Sequence, residues 1–196
     1  MKNLFFIFSL LVLPITMHAQ EQLSAQPSEK MKPALLVIDI QNAYLPYMSE
    51  EDKKTALEVI NGAVWTFHQS KLPVIRVYHQ DLKWGPEENS DGFQFTKNVE
   101  VAGSDPKVIK HHPNAFMKTE LDKILKDLNV NTVYLCGLSA TGCVLATYYG
   151  AIDHEYETFM LKGGLISPDS RHTDFVEAIC KSVDFDTLVF MLKQIR

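Results

Sequence analysis

The sequence predicts an α/β fold, a parallel sheet with helices on both faces, and three observations carry that expectation. Apolar runs of strand length alternate with stretches of helical period along most of the 196 residues. The run at 33–40 is continuously apolar, as a strand covered on both faces is. The segments between them are polar and turn-prone.

"PALLVIDI" (33–40) is the first such run, and polar "QNAYLPYMSE" follows it. From Ser49 the pattern turns helical: Ser49 can cap, Glu51 and Asp52 suit a first turn, and Ala56, Val59, Ile60, Ala63, Val64 and Phe67 recur at helical spacing. "LPVIRVY" (72–78) is the next strand, and "KVIK" (107–110) a short one. Between them a long polar stretch, 79–106, carries Trp84, Phe93 and Phe95 without a clear period. Loops of that length in compact domains are usually functional or disordered. "FMKTELDKILKDL" (116–128) is amphipathic, with Leu121, Ile124, Leu125 and Leu128 on one face. Then come "NTVYLCG" as a strand, "CVLATYYGAID" as a helix, "TFMLKG" as a strand, "SRHTDFVEAICKSV" as a helix and "TLVFML" as a last strand.

With 46% hydrophobic residues the chain can bury the core of one domain, spanning 33–196. A formal charge of −5 with no Lys or Arg run excludes an electrostatic footprint for nucleic acid or anionic lipid. A small-molecule substrate fits that surface. Lys2, the apolar run Leu4–Thr16 and Ala19 read as a secretory signal peptide over 1–19, followed by a polar lead-in over 20–32. A mature chain starting near Gln20, exported to the periplasm or beyond, is expected, with no membrane contact after cleavage. An intact mass of native protein that retains Met1 to Ala19 would refute this. Cys136, Cys143 and Cys180 are an odd count, which argues against a disulfide scaffold. Cys136 and Cys180 sit in apolar patterns and read as small buried hydrophobes.

In open parallel sheets ligands bind beyond the carboxyl ends of the strands, so polar residues that close apolar strands are the ones to collect. Asp39 closes "LLVID", Lys110 closes "KVIK", and Cys143 lies just past "VYLCG" at the mouth of the next helix. Each has a plainer reading: a loop cap, a solvated charge, a packed thiol. Together they make complementary chemistry. A helix start and a cation such as Lys110 lower a thiol pKa, and Asp39 can take the proton and return it to a leaving amine. The turn "GLSATG" offers backbone N–H groups to an oxyanion.

These pieces, "LLVIDIQNAYL", "VIKHHPNAF" and "CGLSATGCVLAT", resemble the isochorismatase-like cysteine hydrolase superfamily, which includes nicotinamidases and N-carbamoyl amidohydrolases. The resemblance implies a three-layer α/β/α fold with a six-stranded parallel sheet of order 3-2-1-4-5-6. It implies a catalytic triad of Asp39, Lys110 and Cys143, a cis peptide at Leu138–Ser139, and an oxyanion hole from the N–H groups of Ser139 and Cys143. Nicotinamidases carry an Asp-x-His metal motif after the second strand, whereas "VYHQDLKWGPEENSDG" has the order reversed and no later His. No metal and no other cofactor is therefore expected. Gln41, Tyr44 and Trp84 are candidate substrate contacts, and Phe93 and Phe95 either line the pocket or pack locally. His111 and His112 read as solvated or supporting groups rather than ligands. The expected activity is hydrolysis of a small amide, imide or ureido substrate through a Cys143 thioester, in a homo-oligomer. The alternatives on the same fold are a catalytically silent binding protein and a thiol-reactive redox protein.

Overall fold

The computed structural model describes residues 30–195; the signal-peptide reading and most of the lead-in lie outside them. From Met31 the chain forms one compact unit. Its elements are β1 (Pro33–Ile38), α1 (Glu50–Gln69), β2 (Val74–His79), β3 (Lys107–Lys110), α2 (Leu121–Asp127), β4 (Thr132–Leu138), α3 (Leu145–Asp153), β5 (Glu157–Ile166), α4 (Ser170–Ile179), β6 (Ser182–Val183) and α5 (Phe185–Gln194). The six strands pair in parallel in the order β3-β2-β1-β4-β5-β6. No helix among the described residues is long and apolar enough to cross a membrane.

All six residues of β1 and all seven of β4 are buried, which is why both read as unbroken apolar runs. Their side chains alternate between two cores. Leu36, Ile38 and Leu135 face one with α2 and α3, while Leu35, Val37, Tyr134 and Cys136 face the other with α1 and α5. Ser49 caps α1 as its sequence suggests, its hydroxyl accepting from the Asp52 N–H at 3.3 Å.

The end of the chain corrects the sequence reading. "TLVFML" is not a strand but part of α5, and the sixth strand is the two residues Ser182–Val183. The Asp184 carboxylate accepts from the Thr187 N–H at 2.7 Å and starts the helix, and Leu188 and Leu192, four apart, are buried against the sheet. A short apolar run cannot itself choose between the two periods. The helix expected from Phe116 begins only at Leu121, because Phe116 turns inward and stacks on His154, with ring centroids 4.8 Å apart.

The long 79–106 stretch is anchored by aromatics. Phe93 and Phe95 are buried and stack on Tyr78 at centroid distances of 5.1 and 4.2 Å. Backbone bonds tie the stretch to the segment after β1: Asn42 N–H to Gln94 O at 2.9 Å and Thr96 N–H to Ile40 O at 2.9 Å. That fixes the loop beside the strand ends.

Candidate active site

Because β1 to β4 run parallel as neighbours, their carboxyl ends share one edge. Asp39 follows β1, His79 closes β2, Lys110 closes β3, and Ser139 and Cys143 follow β4. A cavity of about 170 Å³ opens there, lined by Asp39, Tyr44, Met48, His79, Leu138, Ser139 and Cys143. That is smaller than the usual site for a drug-sized ligand.

Asp39 adopts a left-handed backbone, φ 56°, a conformation that Asp tolerates better than most residues with a Cβ. Its carboxylate is 2% exposed. Oδ2 accepts from Lys110 Nζ at 2.8 Å, while Oδ1 is buried with no hydrogen-bond partner. Lys110 is fully buried, and its Nζ also lies 3.1 Å from His79 Nδ1. Burial pushes the Asp39 carboxyl above its usual range, with the Lys110 ammonium pulling against it. Burial first, then Lys110, hold His79 down at about 4, so its ring is neutral at physiological pH.

Breaking a buried pair strands a charge, so Lys110→Met should cost roughly 3–5 kcal/mol of stability. Adding Asp39→Asn to Lys110→Met should restore part of that loss, since the unpaired carboxylate is then gone. Urea unfolding of the single and double variants measures both; a Lys110→Met protein as stable as wild type would contradict the buried pair.

Cys143 sits in a wide turn, Ala140–Val144, ahead of α3. The Ser139 carbonyl accepts from the Gly142 and Val144 N–H groups at 3.0 and 3.2 Å. The Leu138–Ser139 peptide is cis. A donor atom of each of Cys143, Asp39 and His79 falls within 4.8 Å of the other two. Burial, then the Asp39 carboxylate, push the Cys143 thiol up to about 12, outweighing Lys110. This corrects the expectation of a cation-lowered thiol. The resting sulfur keeps its proton beside a carboxylate whose own affinity for protons is raised. Such an arrangement can form a thiolate by transfer to Asp39, with Lys110 balancing the charge.

The other sequence candidates divide. Tyr44 lines the cavity, its hydroxyl 3.4 Å from the His79 carbonyl. Gln41 does not: it is fully buried, donating to the His79 and Phe93 carbonyls at 3.1 and 2.9 Å and accepting from the His79 N–H at 2.7 Å. Both ends of its amide are used on backbone. Trp84 is 80% exposed, outside the cavity lining, under the Lys83 ammonium. His111 Nδ1 is taken by the Gln80 carbonyl at 2.8 Å. Cys136 is buried and donates to the Leu36 carbonyl, and Cys180 is buried too. His79 and Met48 were missed, although His79 closes an apolar strand just as Lys110 does.

Within the donor set Asp39, His79 and Cys143, a metal ion would compete with a cation already in place. Asp39 Oδ2 and His79 Nδ1 both face the Lys110 ammonium, which already supplies the positive charge between them. Asp81 points away, its Oδ1 accepting from the Lys83 and Trp84 N–H groups at 2.8 Å each. A larger cavity, about 500 Å³ between α1 and α5, lies among Trp65, Phe185 and Leu192. Its hydroxyls, Thr66 and Ser70, are spent on helix carbonyls, so the chemistry rests in the smaller one.

A model of the isochorismatase domain matches residues 33–180. An isochorismatase family protein of Bacillus subtilis is 30% identical over 131 residues, 64% of this chain and 73% of its own. Maleamate amidohydrolase of Pseudomonas putida is 23% identical over 172 residues, 78% of this chain and 79% of its own. Among solved structures, an isochorismatase-like hydrolase from Alkaliphilus metalliredigens superposes with a TM-score of 0.73 at 20% identity, covering 81% of this chain and 98% of that one. N-carbamoylsarcosine amidase from Thermoplasma acidophilum gives 0.68 at 25% identity, covering 80% and 98%.

Proposed function

The chain belongs to the isochorismatase family of hydrolases, and from that premise we propose that it cleaves the C–N bond of a small uncharged amide, imide or ureide through a thioester on Cys143. The observation that carries this reading is a thiol and a carboxylate with a free oxygen on the wall of one cavity, with a buried ammonium 2.8 Å from that carboxylate. Asp39 takes the thiol proton as sulfur attacks the carbonyl carbon. Negative charge moves to the carbonyl oxygen, beside the backbone of Ser139 and Cys143. As the C–N bond breaks, Asp39 returns the proton to the departing nitrogen, leaving the thioester. Water then adds to the thioester with its proton going to Asp39; the C–S bond breaks, the acid leaves, and Asp39 hands the proton back to sulfur. The two amidohydrolase relatives support the reaction type.

Charge narrows the substrate. The named substrates of those two relatives, maleamate and N-carbamoylsarcosine, carry a carboxylate. No Arg or Lys lines this cavity, and Lys110 behind it is already paired with Asp39 at 2.8 Å, so a carboxylate on the substrate would find no free counterion. Hydrolysis is measured over uncharged amides, imides and ureides beside maleamate. Turnover of the best uncharged compound should exceed that of maleamate by on the order of 10-fold or more in kcat/KM. A preference for maleamate overturns the charge argument; hydrolysis of nothing on the panel overturns the amidohydrolase reading.

A further inference from the structure

The reading above leaves His79 without a task, yet its surroundings are among the most constrained in the molecule. Gln41 holds the His79 backbone on both sides, accepting from its N–H and donating to its carbonyl, and the Tyr44 hydroxyl reaches the same carbonyl. The ring stands where β2 ends, and its Nδ1 is 3.1 Å from Lys110 Nζ. An ammonium only donates, so Nδ1 must be the bare, accepting nitrogen and Nε2 must carry the proton. Lys110, with no exposure to solvent, therefore has two side-chain acceptors, Asp39 Oδ2 and His79 Nδ1.

We propose that His79 is a positioning residue: by accepting at Nδ1 it aims the Lys110 ammonium at Asp39 Oδ2 and leaves Oδ1 as the oxygen that exchanges a proton with Cys143. This rests on the roles given above to Asp39, Lys110 and Cys143. Two acceptors, one just past β1 and one at the end of β2, define the direction of the ammonium; one would let it swing. Without Nδ1, a buried N–H of Lys110 also loses its partner, and the ammonium no longer holds one place beside Asp39. The Cys143 thiolate would then be harder to form. Besides Lys110 on β3, the groups that act on the ring are Asp39, Cys143, Tyr44, Asp81, His111 and His112, and among the described residues the donor to Nδ1 is Lys110.

The test compares His79→Leu, which fills the space without an acceptor, with His79→Asn, whose amide oxygen falls near the Nδ1 position. Iodoacetamide labelling of Cys143 against pH is read by intact mass, and kcat and KM are taken on the best substrate of the panel. In His79→Leu, labelling at neutral pH and kcat should each fall on the order of 10-fold, the scale of one lost buried hydrogen bond. The labelling profile should move to higher pH and KM should change little; His79→Asn should recover most of the loss. Unchanged labelling and kcat in His79→Leu would overturn the proposal. So would a His79→Asn protein as impaired as His79→Leu with a raised KM, which would make the ring a substrate contact. Labelling needs no substrate, so a failed amidase screen leaves this test intact. Should the variants not fold, the imidazole ¹⁵N shifts of wild-type His79 decide: a bare Nδ1 and protonated Nε2 at neutral pH support the proposal, and a protonated Nδ1 refutes it.

Discussion

Cys143→Ala should remove turnover and covalent trapping together while leaving the fold in place. The sulfur is half-buried at the cavity wall, and its loss deletes one atom from a site that borders open space. The chemical loss is of another order, since neither the attack nor the thioester can occur without it. A fall on the order of 10⁴-fold or more is expected, the scale for losing a nucleophile in a concerted site. Asp39→Asn keeps the size and removes the base, and should cost on the order of 10²-fold or more. The double variant should be little worse than Cys143→Ala, because residues that act as one unit fail together. Initial rates and mass spectrometry of enzyme quenched during turnover measure both effects. Near-native hydrolysis by Cys143→Ala would mean that water or another side chain is the nucleophile.

The second large effect is expected at a residue with no chemistry of its own. Gly137 pairs with Ile38 in the β1–β4 ladder and has φ 116°, a region that side chains rarely enter. A Cβ there would lie 2.0 Å from the Ile38 carbonyl oxygen and 2.8 Å from its nitrogen. These are backbone atoms of the central strand, and they cannot rotate out of the way. Relief would require β4 to leave β1 one residue before Asp39. Gly137→Ala should therefore cost more than about 4–5 kcal/mol, which is most of the stability of an ordinary domain. Circular dichroism and soluble yield should report unfolded or aggregated protein. Gly103→Ala, with nothing within 4 Å of its added carbon, serves as the control and should fold normally. A Gly137→Ala protein that melts within a few degrees of wild type would show that the two strands are not packed this closely.

The parts of this molecule legible in the sequence are those where one local rule decides. β1 and β4 have neighbours on both sides in the sheet, and their unbroken apolar runs say so. Asp39, Lys110 and Cys143 stood out because a polar residue at the end of such a run has few purely structural uses. The misreadings arise where tertiary partners decide. Gln41 looked available for a ligand, but its amide is satisfied by the carbonyls of His79 and Phe93, distant positions that composition cannot reveal. The same holds for α5, where the burial of Leu188 and Leu192, four apart, goes with a helix and not a strand. The thiol was misjudged for a related reason: the sequence shows that a cation is near, but not that desolvation and a carboxylate outweigh it.

The position of β1 bears on how the chain is made. Among the described residues it is the first strand in chain order, yet it sits inside the sheet, between β2 and β4. β2 can join soon, after a single helix, but the other edge of β1 has no partner until Thr132–Leu138 has been synthesised. Throughout that interval "PALLVI" presents a bare hydrogen-bonding edge and six residues destined for the interior, the kind of segment that pairs with the wrong chain. In a chain made without residues 1–19, synonymous codon changes that slow translation between Lys110 and Thr132 should therefore lower soluble yield without altering a single residue of the domain.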